Sequence, residues 1–149
     1  MRSRLVYQDG SHHRTFVLAF DKAEDPVPLL VRFADTQGLS GSHITGTGSF
    51  ERAVVGYFDR LEGDYVRIPV EQQVEVLSLN GEVALRHEKP IVHLQAVLGL
   101  RDGTTRGGHL LAASVWPALE VVVTEHPRYL RRRFDPELQL ALIELNGSS

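Results

Sequence analysis

The run Pro90-Ile-Val-His-Leu-Gln-Ala-Val-Leu-Gly99, followed by Arg101-Asp-Gly103 and Gly107-Gly-His-Leu-Leu111, carries the side chains best suited to chemistry. In an extended strand residues two apart share a face, so His93 and Gln95 point one way while Val92, Leu94 and Ala96 point the other. His109 joins them if its strand pairs with theirs. Imidazole suits zinc and other divalent transition metals, which makes His93 and His109 candidate metal ligands. A glutamine oxygen is a neutral, weak ligand, so this set is short of the three good protein ligands that a zinc site normally wants. A small polar ligand held by His93, Gln95 and His109 is the other functional reading, and a hydrogen-bonded structural pair of histidines is the plain one. Glu75, placed by alternation on a face with Leu77 and Leu79, is a fourth candidate for ligand binding. A carboxylate on an apolar face acquires a raised pKa unless it is paired, and so suits a general base.

Short β-branched and aromatic runs with period-two patterning dominate the elements that must position these residues. Candidate strands are 14–20, 43–50, 53–58, 65–70, 73–79, 83–87, 91–98, 108–113, 119–124 and 138–145. One helix is expected, with Asp25 as N-cap, Pro26 at its first position, apolar residues at Val27, Leu30, Val31 and Ala34, and Gly38 closing it. Glu62-Gly-Asp64, Asn80-Gly81 and Arg101-Asp-Gly103 read as tight turns, Asn-Gly being a strong hairpin signal. The stretch 101–108 reads as a long loop, and Trp116-Pro117 as a turn or the cover of a hydrophobic edge. One helix supplies too few crossovers for a doubly wound parallel sheet, so the class is α+β: a mostly antiparallel β-sheet packed against one main helix.

The chain of 149 residues is read as a single domain, with 42% apolar and 23% charged residues, as in globular proteins. No cysteine is present, which excludes disulfides, thiolate metal sites and cysteine nucleophiles. No Gly-x-Ser-x-Gly elbow occurs either, and the reading leans away from an enzyme. No signal-peptide core or apolar run of membrane-spanning length is found, so the expected location is cytoplasmic. The formal net charge of −3 disfavours a phosphate backbone as partner unless a local basic patch exists. Such a patch is offered by Arg128-Tyr-Leu-Arg-Arg-Arg-Phe134, making Arg128, Arg131, Arg132 and Arg133 the candidate nucleic-acid residues. Gly46-Thr-Gly-Ser-Phe50 has neither Walker nor dinucleotide spacing, and reads as a strand-end turn or bulge. His12 and His13, adjacent in a polar turn, are expected to be exposed.

The runs Gly56-Tyr-Phe-Asp59, Val74-Glu-Val-Leu-Ser-Leu-Asn-Gly81, Pro90-Ile-Val-His93 through Leu98-Gly99, Asp102-Gly103 and Gly107-Gly-His-Leu110 together resemble the plants and prokaryotes conserved (PPC) domain. The likeness covers about residues 5–125, leaving 126–149 as an added arginine-rich turn and final strand. It implies an α+β fold assembled as a homotrimer. In plants the domain stands beside AT-hook DNA-binding motifs, and some prokaryotic members look metal-containing through a His-x-His pair and the histidine of Gly-Gly-His. Here His93 and His109 match that pattern, Gln95 stands where the middle histidine would be, and no Arg-Gly-Arg hook is present. The function expected is a trimeric ligand- or metal-binding module around His93, Gln95 and His109. The alternatives are a DNA-binding or transcription-associated regulatory protein, and a metal-dependent hydrolase with Glu75 assisting.

Overall fold

A computed structural model describes residues 1–10, 13–126 and 128–145. The element order is β1 (Arg2–Gln8), β2 (Arg14–Phe20), α1 (Pro26–Gln37), β3 (Gly41–Asp59), β4 (Asp64–Val70), β5 (Val74–Arg86), β6 (Lys89–Gly99), β7 (Thr105–Glu125), β8 (Arg132–Asp135) and β9 (Leu140–Ile143). This is the expected α+β arrangement, with an antiparallel sheet and, among the described residues, one helix. The helix has the expected ends: Asp25 accepts from the Val27 N–H, and Gly38 takes the left-handed conformation at φ 63°.

Seven strands follow the order β1-β2-β7-β6-β5-β3-β4, and an additional β3–β7 pairing closes β3, β5, β6 and β7 into a ring. Long strands make this closure feasible. β3 uses its first half against β5 and its second against β4, while β7 lies along both halves of β3. Inward-facing Leu79, Val83, Leu94, Ala96, Leu98, Leu110, Val121 and Val123 form the core together with Leu30, Phe33 and Ala34 of α1. The ring of Phe33 meets Phe16 edge-on, at 5.2 Å between centroids.

Several expected breaks are absent because strands run through them. Segments 43–50 and 53–58 are one strand, as are 73–79 with 83–87 and 108–113 with 119–124. Asn80-Gly81 is not a hairpin turn but lies mid-strand, with Asn80 opposite Gln95 and Gly81 opposite Leu94. Glycine is needed there for space, since a Cβ on Gly81 would stand 2.2 Å from the His93 carbonyl oxygen. The turn falls instead at His87 and Glu88, both at positive φ (51° and 60°), between paired Arg86 and Lys89. β7 likewise continues through Trp116-Pro117, where three residues bulge opposite Ser49 and the missing proline N–H breaks no regular ladder. The loop before it is also shorter than expected: Gly99 already pairs with Thr105, and the turn at 101–103 closes through Leu100 and Thr104.

Two strands lie outside the candidate set. β1 pairs with β2, and the arginine-rich segment, read as a turn, contains β8, which pairs with β9 as a separate two-stranded sheet. The final strand spans 140–143 rather than 138–145. His12 lies outside the described residues, and His13, expected exposed, is half-buried against the Tyr7 ring.

Candidate functional site

Alternation along β6 sends Leu94, Ala96 and Leu98 into the core and leaves His93 and Gln95 on the outer face. Gln95 pairs with His109 of β7, so the structure brings all three onto neighbouring strands of one surface. The imidazoles of His93 and His109 meet with centroids 4.5 Å apart, tilted by 54°. On the other side of His109 lies Tyr65 of β4, at 4.7 Å between centroids. Gly56, the β3 partner of His109, makes room for that tyrosine, because a Cβ at Gly56 would come within 2.9 Å of its ring.

Burial is the first electrostatic influence on this pair. It lowers the pKa of His93, with the Arg132 guanidinium adding to the effect and Glu82 opposing it. His109 is pushed down to about 4 by burial first, then by His93 and Arg132. Both imidazoles are therefore neutral at physiological pH, the state in which each offers one N–H and one lone pair. Nδ1 of His109 is buried and has no hydrogen-bond partner. An unmet buried polar atom costs about 1–3 kcal/mol, which a bound atom at that nitrogen would recover.

As a metal site the set is incomplete. Two neutral imidazoles and an amide fall short of three good protein ligands, and among the described residues no group of three or more His, Cys, Asp or Glu is arranged to hold a metal.

Glu75 is not brought into this group. It pairs with Gly99, six residues along β6 from His93 and hence about 20 Å away. A bulge between Val76 and Ser78 also changes its face: Leu79 turns inward, 1% exposed, while Glu75 and Leu77 stay outside. The carboxylate that does neighbour His93 is Glu82, its direct cross-strand partner. Arg132 of β8 donates two hydrogen bonds to Glu82, Nε at 2.7 Å and Nη2 to the same oxygen. Sequence reasoning missed Tyr65 and Glu82 and gave Arg132 another role. No sequence signal pointed to Glu82, because the register that sets Asn80 opposite Gln95 and Glu82 opposite His93 is visible only once β5 and β6 are paired.

The arginine segment is largely engaged within the chain. Arg131 pairs with Glu88 at 3.0 Å, Arg132 with Glu82 and Arg133 with Glu144 at 3.4 Å, while Arg128, Arg131 and Arg133 are all exposed. Of these, only Arg132 is held in a mostly buried pair, 15% exposed.

A family model described as the Plants and Prokaryotes Conserved (PCC) domain matches residues 7–127. Among solved structures, a metal-containing protein from Archaeoglobus fulgidus is 32% identical with a TM-score of 0.80, covering 97% of this chain and 99% of its own. A plant- and prokaryote-conserved protein from Pyrococcus horikoshii is 27% identical with a TM-score of 0.82, covering 95% and 100%. A candidate DNA-binding protein from Bacteroides thetaiotaomicron shares the fold at a TM-score of 0.86 and 23% identity, over 95% and 96%. None of the curated proteins matches the chain.

Proposed function

Because the chain belongs to the Plants and Prokaryotes Conserved domain family, we propose that it is a binding module that holds a small polar ligand, or a loosely bound divalent metal, at His93, Gln95 and His109. The observation that carries this reading is Nδ1 of His109, buried without a partner and beside the neutral imidazole of His93. A ligand atom that donates to this nitrogen, or a metal that takes its lone pair, relieves an unmet acceptor in a partly desolvated place. Gln95 adds an amide donor and acceptor at the rim, where it is exposed. The name of the Archaeoglobus fulgidus protein supports the metal arm of the reading. The Gln95 amide in place of a third imidazole makes that metal weakly held, zinc or another divalent transition ion. Assembly as a homotrimer belongs to the same proposal.

No step of hydrolysis is assigned, since Glu75 stands too far from the histidines to act on a water between them. DNA binding draws no support from the paired arginines.

The test is elemental analysis of untagged protein purified without chelator, followed by Zn2+ titration monitored by the imidazole NMR signals of His93 and His109. Wild type is expected to shift both signals, and His109→Ala to lose the response while keeping its circular dichroism and its mass by light scattering. Metal uptake that is unchanged in His109→Ala, with no small molecule bound at this face, overturns the proposal.

A further inference from the structure

The C-terminal hairpin β8–β9 lies beyond the residues that the family model matches, yet it reaches into the site. A two-stranded hairpin is marginal by itself, so its attachments decide where it sits. The Leu85 N–H donates to the Leu130 carbonyl at 2.7 Å, and the Leu130 N–H donates to the Ser40 carbonyl at 2.8 Å. These bonds lay the start of the hairpin along β5. Arg132 then extends to Glu82, while its Nη1 donates to the Ala141 carbonyl of β9. The guanidinium is thus fastened to its own hairpin on one side and grips a carboxylate of the barrel on the other.

That grip is one-sided, since both arginine donors to Glu82 go to Oε1 and Oε2 is left out of the clamp. Glu82 pairs with His93, so their Cβ atoms are neighbours about 4.5–5.5 Å apart on the same face. What the site lacks is a third strong donor, and the side chain next to it is an anionic oxygen donor turned toward an arginine. Two imidazoles and one carboxylate make a recurrent ligand set for divalent transition metals. A guanidinium and a dication compete for one carboxylate, since each is satisfied by the same charge.

We propose that Glu82 is the third ligand of a divalent-metal site with His93 and His109, and that Arg132 of the C-terminal hairpin withholds it, so that the hairpin sets the metal affinity. The inference rests on the reading of His93 and His109 as a binding site. It accounts for the two-imidazole set seen with the hairpin docked, and it makes the hairpin the element that responds when metal arrives. Metal capture by Glu82 releases Arg132, which keeps only its bond to Ala141.

The test is Co2+ titration of the full chain, because the visible spectrum of Co2+ changes with its donor set. Arg132→Gln is expected to bind Co2+ tighter than wild type by roughly tenfold to a hundredfold, the scale on which groups behind a ligand act. It should also show a spectrum distinct from wild type. Arg132→Lys, which keeps the charge but lacks the planar fork, gives a smaller gain and guards against a misfolded glutamine variant. Adding Glu82→Gln to Arg132→Gln should remove both the gain and the new spectrum. No gain in Arg132→Gln, or a gain with the wild-type spectrum, overturns the latch. If wild-type binding is still lost in His109→Ala, the site itself stands in that event. A gain that survives His109→Ala places the metal elsewhere and overturns both readings.

Discussion

Two arginine–glutamate clamps tie parts of this molecule together, Arg14 with Glu125 and Arg132 with Glu82. In the first, Nε donates to Oε2 at 2.6 Å, Nη2 donates to Oε1 at 2.9 Å, and Nη2 also donates to the Gln37 carbonyl at the end of α1. Glu125 is 1% exposed, so both oxygens of a fully buried carboxylate are used, and the pair locks β2, β7 and α1. In the second, the carboxylate is 22% exposed, uses one oxygen and stands beside a neutral imidazole that belongs to the candidate site. The same pair of residue types is a closed structural tie in one place and, with an oxygen to spare, an exchangeable one in the other.

Breaking the closed clamp has the largest expected effect. Glu125→Ala leaves a mostly buried Arg14, 18% exposed, without its counter-charge and should cost about 3 kcal/mol in urea unfolding. A cost near that of a surface pair would erase the contrast between the two clamps. Arg132→Gln should cost less, about 1–3 kcal/mol, because Glu82 at 22% exposed can regain water when its partner is lost whereas the residues of the closed clamp cannot do so as readily. A loss as large as that of Glu125→Ala would make the hairpin part of the folding unit rather than an attachment. Added salt sharpens the comparison further, since it should weaken the Arg132 clamp more than the Arg14 clamp, read as a smaller Arg132→Gln penalty at high ionic strength.

The acid limb of stability tests the site side of the comparison. His109 titrates near 4 in the folded chain and near 6.5 when unfolded, so on acidification the unfolded chain takes up its proton first. Its contribution is present above the unfolded pKa and is lost as pH falls from about 6.5 toward 4. In urea titrations across that range, His109→Phe should show a flatter decline than wild type. An unchanged slope would mean that burial does not hold this imidazole neutral.

Much of the fold is legible locally. The helix from Pro26 to Gln37 with its Asp25 and Gly38 ends, the strand from Arg14 to Phe20 and the turn at Arg101-Asp-Gly103 each depend on residues close in sequence. The Asn80-Gly81 turn failed because its glycine answers a tertiary demand, the approach of the His93 carbonyl, instead of a local backbone bend. The arginine segment failed for a similar reason. Its charges look free in sequence, but their partners Glu82, Glu88 and Glu144 come from β5, the β5–β6 turn and the residue after β9.

By itself the sequence determined the α+β class, the family, and that His93 and Gln95 share a face, because period-two alternation is a property of the strand alone. That His109 lies against His93, that Glu82 and not Glu75 is the neighbouring carboxylate, and that Arg132 holds it were decided only by the tertiary structure. Register between strands depends on where bulges fall and how the ring closes, and a single extra residue such as Leu77 turns every later side chain to the opposite face.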